Sequence, residues 1–200
     1  MGPRFAPTLR TLLAASALLA VAAPAAAQRS RATAHEPLVV GGTFGIDSST
    51  ADNYPGGPEI GGLIEVPLTR DWRLRGDVGI GFWEDDGPPP FNDDDIELRR
   101  HRITGSLIKT LIPMSGNERF AVYAGGGAGI YRYIFGARDN STTAGLHGVG
   151  GVEYALRRSR WLVGGEAQFQ VIGAPDAPGD DDAVKVFHVA GFVKYRLRRP

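Results

Sequence analysis

The sequence predicts an all-β fold, a closed antiparallel eight-stranded up-and-down transmembrane β-barrel. Three observations predict it. Eight segments between residues 38 and 197 alternate apolar residues with polar or small ones at the period of two that a strand imposes. The connections between them are longer and shorter in turn. Residues 120–133, Phe-Ala-Val-Tyr-Ala-Gly-Gly-Gly-Ala-Gly-Ile-Tyr-Arg-Tyr, are too glycine-rich for a helix, where each interior glycine costs about 1 kcal/mol relative to alanine. Read as a strand, this stretch puts Phe120, Val122, Ala124, Gly126, Ala128 and Ile130 on one face. Tyr123, Gly125, Gly127, Gly129, Tyr131 and Tyr133 lie on the other. At about 3.3 Å per residue it spans roughly 45 Å, the length of a tilted strand that crosses a bilayer and projects beyond it. Its glycines also permit the tight bending of a small barrel wall.

Residues 1–27 stand apart as a secretory signal peptide. Arg4 and Arg10 precede an apolar run over 11–23, and Ala25-Ala26-Ala27 forms a small-residue cleavage site before Gln28. Residues 28–36 are a short polar leader, and 37–200 form the barrel domain. Without 1–27 the chain has 20 Lys+Arg against 22 Asp+Glu, a balance that offers no general attraction for nucleic acid. There is no cysteine, so disulfides and thiolate chemistry are excluded. No later segment approaches 18 consecutive apolar residues, which excludes a helical span but not a barrel.

The first strand runs over 38–46, with Leu38, Val40, Gly42, Phe44 and Ile46 on one face, and residues 47–58 form a loop of Asp, Ser, Asn, Pro and Gly. Ile60, Gly62, Ile64, Val66 and Leu68 define the second strand, with Glu59 and Glu65 on its opposite face. In the third, Trp72, Leu74, Gly76, Val78, Ile80 and Phe82 oppose Arg73, Arg75, Asp77, Gly79, Gly81 and Trp83. Residues 84–95 form a second long loop. The fourth strand, 96–112, is less regular. Its run Arg99, Arg100, His101, Arg102 is expected to project partly into water, and Ile108 falls on the polar face, where lumen packing would place it.

After a turn at 113–119 comes the glycine-rich fifth strand, then a loop at 136–141. The sixth strand turns Ala144, Leu146, Gly148, Gly150, Val152 and Tyr154 outward and His147 and Glu153 inward. The seventh turns Trp161, Val163, Gly165, Ala167, Phe169 and Val171 outward and Glu166, Gln168 and Gln170 inward. Residues 173–182 form the last long loop. The eighth strand carries Phe187, Val189, Gly191, Val193, Tyr195 and Leu197 outside and His188, Lys194 and Arg196 inside.

Alternation alone fits two arrangements. In a soluble barrel the apolar face lines the interior; in a membrane barrel it meets lipid and the charged face lines the lumen. The alternating loop lengths favour the membrane, since outer-membrane barrels have short turns at one end and longer loops at the other. So does the placing of Trp72, Phe120, Trp161 and Tyr195 near strand ends on one side, as an aromatic girdle would be.

The signal peptide, the eight alternating strands, the asymmetric loops and Tyr-Ala-Gly-Gly-Gly-Ala-Gly-Ile-Tyr at 123–131 resemble the small outer-membrane β-barrel proteins of Gram-negative bacteria. The resemblance covers roughly residues 37–197. It implies location in the outer membrane, contact with outer-membrane lipid and lipopolysaccharide, and insertion by the barrel assembly machinery. Members usually end on an aromatic residue; this chain departs from that, ending Tyr195-Arg-Leu-Arg-Arg-Pro200. The family ranges over adhesins, envelope tethers, small pores, resistance factors and a few lipid-modifying enzymes.

Candidate functional residues lie in the lumen. Alternation places Glu65, Arg73, Arg75, Asp77, Glu153, Glu166, His188, Lys194 and Arg196 there, together with Glu59, Arg100 and Arg102. An eight-stranded barrel has an interior that side chains just fill, so these charges must be paired or hydrated. They are expected to form a network that holds the cylinder in shape, with a narrow polar path as the alternative. His35, His101, His147 and His188 lack the close ligand companions of a compact metal motif. Ser106 and His101 fall on opposite faces, so no nearby serine–histidine pair offers a nucleophile. Aspartates 93–95 and 180–182 could collect a divalent cation but read more simply as solvated loops.

The expected function is therefore that of a non-enzymatic integral outer-membrane barrel with a structural or loop-mediated surface role, and no cofactor or metal. A narrow porin-like channel, and a secreted soluble barrel binding an apolar ligand, are the alternatives. Oligomeric state is left open.

Overall fold

A computed structural model of the chain describes residues 37–50, 56–85, 96–114, 119–135, 140–173 and 183–197. The expected signal peptide and leader, residues 1–36, and both aspartate triplets lie outside the described residues. Eight strands close into one antiparallel barrel in sequence order: β1 (Val39–Ser49), β2 (Pro58–Pro67), β3 (Trp72–Asp85), β4 (Ile96–Ile112), β5 (Phe120–Phe135), β6 (Ser141–Ala155), β7 (Trp161–Ile172) and β8 (Val184–Arg196). Closure comes from β1 against β8, paired from Val39–Arg196 to Ser49–Val186. A closed ladder leaves no edge, so every strand finds backbone partners on both sides, as a lipid environment demands.

The apolar face points out. Phe44, Ile46, Val78, Ile103, Phe169 and Val189 are all exposed, while their neighbours in sequence are buried. This excludes the soluble arrangement, which would turn those side chains inward. Trp72, Phe120 and Trp161 are exposed at the end where the connections are 68–71, 113–119 and 156–160. The Trp161 ring packs against Tyr195 with centroids 4.8 Å apart. Lys109 extends from the outer wall to place its Nζ 5.5 Å from the centre of the Trp72 ring.

Several strands run longer than alternation suggests. β1 continues through Asp47 to Ser49, because Asp47 faces the lumen and Ser48 and Ser49 pair with Phe187 and Val186. β5 continues to Phe135, β6 begins at Ser141, and β8 begins at Val184. The connection after β1 is correspondingly shorter than the sequence suggests. Of the run at 99–102, only Arg99 and His101 turn to the outside; Arg100 and Arg102 are buried in the lumen. Ile108 is fully buried with Tyr123, Val149 and Phe192, the lumen packing its position implied. β4 meets β5 in regular register until a shift between Thr110 and Ile112.

Candidate functional site: an ion-paired lumen

The interior is built in three levels. Nearest the short-turn end, Glu65 on β2, Arg73 on β3, Glu153 on β6 and Lys194 on β8 form a closed ring of alternating charge. Arg73 lies 2.9 Å from Glu65 and 2.9 Å from Glu153, and Lys194 lies 2.7 Å from Glu65 and 3.2 Å from Glu153. Both cations also sit against the Tyr123 ring, Arg73 at 5.4 Å and Lys194 at 5.1 Å from its centre. Tyr123 reaches the next level by donating its hydroxyl to Glu166 Oε2 at 2.7 Å.

At mid-height Arg75 of β3 crosses the lumen to Glu166 of β7 in a bidentate pair, Nη1 to Oε2 and Nη2 to Oε1. Its Nε also donates to Asp77 Oδ1 at 2.7 Å. Gln168 donates to Glu166 Oε1 at 3.0 Å and accepts from Arg102 Nη1 at 2.9 Å, tying this level to the one above.

At the long-connection end, Arg100 contacts Asp47 and Glu59, each at 2.6 Å, and Arg102 Nε donates to Glu59 Oε1 at 2.8 Å. His188 Nδ1 donates to Asp47 Oδ1 at 2.8 Å. Above this, Tyr131, Tyr133, Ile172, Val184 and Val186 pack into a buried apolar layer. Inward-facing glycines make room for the large groups. A Cβ at Gly79 would meet Glu59 Oε1 at 2.8 Å and Arg102 Nε at 2.9 Å, and one at Gly151 would meet the Tyr123 hydroxyl oxygen at 2.5 Å. The tyrosine and the Glu59–Arg102 pair fit because those positions carry no side chain.

Among the described residues the lumen thus holds Asp47, Glu59, Glu65, Asp77, Glu153 and Glu166 against Arg73, Arg75, Arg100, Arg102 and Lys194. Every strand except β5 supplies at least one of these charges, β5 joining them through Tyr123, and several contacts span the barrel rather than joining neighbours. Of the residues that alternation assigns to the lumen, Arg196 alone stands aside: it is half-buried at the mouth, its Nη2 directed to Met114 Sδ at 3.7 Å. Asp47 escapes a sequence reading because it follows the last regular apolar residue, Ile46. Continuing the alternation by one step would have found it.

Two further arrangements were hidden by sequence distance. Ser106 on β4 and His147 on β6 sit either side of Gly127 in one row, and their Oγ and Nε2 are 2.7 Å apart. Gly127 lacks the side chain that would separate them. The pair is buried, and among the described residues His147 Nδ1 has no carboxylate to orient it. It lacks the third member that activates a serine nucleophile. Asp47, Glu59 and His188 bring two carboxylates and an imidazole within 4.8 Å of one another. Their oxygens are already engaged by Arg100, Arg102 and His188 itself, and a dication would have to displace guanidinium groups that keep their charge. The cluster fits a metal poorly.

A transmembrane barrel with a closed, ion-paired interior defines an outer-membrane class of protein. The comparisons identify the family within it: residues 12–196 match the model of the outer membrane protein beta-barrel domain, and the chain belongs to that family. No curated protein sequence matches the chain. Among solved structures, Neisserial surface protein A is 16% identical with a TM-score of 0.54, covering 80% of this chain and 96% of that one. The N-terminal β-barrel domain of Pseudomonas aeruginosa OprF is 12% identical with a TM-score of 0.50, over 80% and 98%. A major outer membrane protein from Thermus thermophilus is 14% identical with a TM-score of 0.50, over 82% and 100%. At these identities the likeness is one of fold.

Proposed function

We infer that the protein is an integral structural barrel of the Gram-negative outer membrane, exported with a signal peptide cleaved after Ala27. It acts by occupying the membrane and presenting its loops, with neither catalysis nor conduction. The observation that carries this reading is the filled lumen: ion pairs at three levels and an apolar layer at one end occupy the space a channel would need. The buried Ser106–His147 pair faces away from lipid and lacks an orienting carboxylate, which supports a non-catalytic role. The partners that follow are outer-membrane lipid, lipopolysaccharide and the barrel assembly machinery.

The test is expression with the native leader in a Gram-negative cell. The reading expects outer-membrane retention through carbonate and urea washes, a gel mobility that shifts on boiling, and a mature N-terminus at Gln28. Planar bilayers containing the purified barrel should show no stable conductance steps. Release as a soluble periplasmic monomer would overturn the integral role, and reproducible steps would replace the closed lumen by a pore.

A further inference from the structure

The outer wall carries a cation cluster that the ion-paired interior does not use. Three rows of outward-facing residues can be followed across β3, β4, β5 and β6. The lowest is Val78–Ile103–Ile130–Ala144, the next Ile80–His101–Arg132–Thr142, and the highest Phe82–Arg99–Ile134. Directly opposed side chains on one face stand about 5 Å apart, and diagonal neighbours about 7–8 Å. His101 and Arg132 are therefore adjacent, with Arg99 one diagonal away. Arg99 and Arg132 are exposed and His101 is half-exposed. Among the described residues neither His101 nor Arg132 is paired with a carboxylate.

The height of this cluster is informative. Ile80 and Phe82 follow Trp72 of the aromatic girdle by eight and ten residues along β3. That is about 26–33 Å along the strand, or roughly 20–25 Å along the axis at a 40° tilt, against an apolar band about 25 Å tall. The cations thus stand at the headgroup level of the leaflet at the long-connection end. Val78, Ile103 and Ile130, one row down, lie immediately beneath, where acyl chains begin.

We propose that Arg132, His101 and Arg99 form a phosphate-binding site on the outer wall for the phosphorylated sugar headgroup of the outer-leaflet glycolipid, lipid A. Arg132 supplies the planar fork suited to two phosphate oxygens. The His101 ring N–H and the Thr142 hydroxyl donate from either side in the same row, and Arg99 adds its charge above. The isoleucines beneath hold the chains of the same molecule. This site rests on the integral, loops-outward reading above.

The full chain is refolded into phosphatidylcholine vesicles, where heat-shifted mobility reports the barrel without the ligand. Lipid A is then titrated in its bisphosphorylated and dephosphorylated forms, with phosphatidylglycerol and inorganic phosphate as competitors. The bisphosphorylated form should bind about tenfold or more tightly than the dephosphorylated one. Arg132→Gln with His101→Gln should abolish that preference, while Lys109→Gln at the opposite end retains it. Where the double variant fails to fold, Arg132→Gln alone should lose most of the preference. A folded variant with undiminished preference overturns the site, and equal binding of phosphatidylglycerol or inorganic phosphate overturns the glycolipid as its ligand. Failure of the wild-type barrel to form in phosphatidylcholine would instead overturn the integral reading.

Discussion

Arg75 on β3 and Glu166 on β7 meet across the lumen through two parallel hydrogen bonds, Nη2 to Oε1 at 2.7 Å among them, with both side chains almost wholly buried. These strands are not neighbours in the sheet, so the pair ties opposite walls of the cylinder. Bidentate guanidinium–carboxylate geometry is the strong form of such a contact. A buried pair is costly to break and much less costly to replace as a whole.

Glu166→Gln should therefore lower barrel stability by about 3–5 kcal/mol, because Arg75 keeps its charge and loses its main partner. Replacing both members, Arg75→Met with Glu166→Leu, should recover most of that loss. Urea unfolding of the folded barrel in vesicles, with the single and double variants compared, measures both. A double variant no better than the single one would count against the pair as the source of the effect.

Tyr123 joins two levels of the network, its ring under Arg73 and Lys194 and its hydroxyl on Glu166. Tyr123→Phe keeps the ring and removes one hydrogen bond to a charged acceptor, so the expected loss is about 1.5–3 kcal/mol. Tyr123→Ala should cost more, since the cations lose the aromatic face as well. The same unfolding assay separates the two.

Gly127 and Gly105 lie on opposite faces of the wall and should respond oppositely. A Cβ at Gly127 would run into the Gly105 carbonyl oxygen and the Ser106 backbone, whereas one at Gly105 meets nothing within 4 Å. Gly127→Ala should sharply reduce the folded fraction, while Gly105→Ala should stay within about 0.5 kcal/mol of wild type, as open surface positions do. Heat-shifted gel mobility after refolding reads both.

Ser106→Ala leaves the buried Nε2 of His147 without its partner, at an expected cost of about 1–3 kcal/mol. A fluorophosphonate probe should not label the wild-type protein at Ser106. Stoichiometric labelling that Ser106→Ala abolishes would establish a reactive serine and overturn the purely structural role.

Much of this molecule was legible in the sequence, because a strand's period of two sorts side chains between its faces before any partner is known. Eight strands, the outward apolar residues and most of the lumen charges, from Glu65 to Lys194, follow from alternation. The lengths of β1 and β8 did not, since Asp47, Ser48 and Val184 join their strands through lumen contacts and cross-strand pairing rather than through local pattern. Nor did the partnerships. That Arg75 meets Glu166, that Arg100 holds Asp47 and Glu59, and that Ser106 finds His147 depends on closure and register. Parity says only that a side chain points inward; the stagger of eight closed strands decides which inward charges share a level, and those distances exist only in the closed barrel.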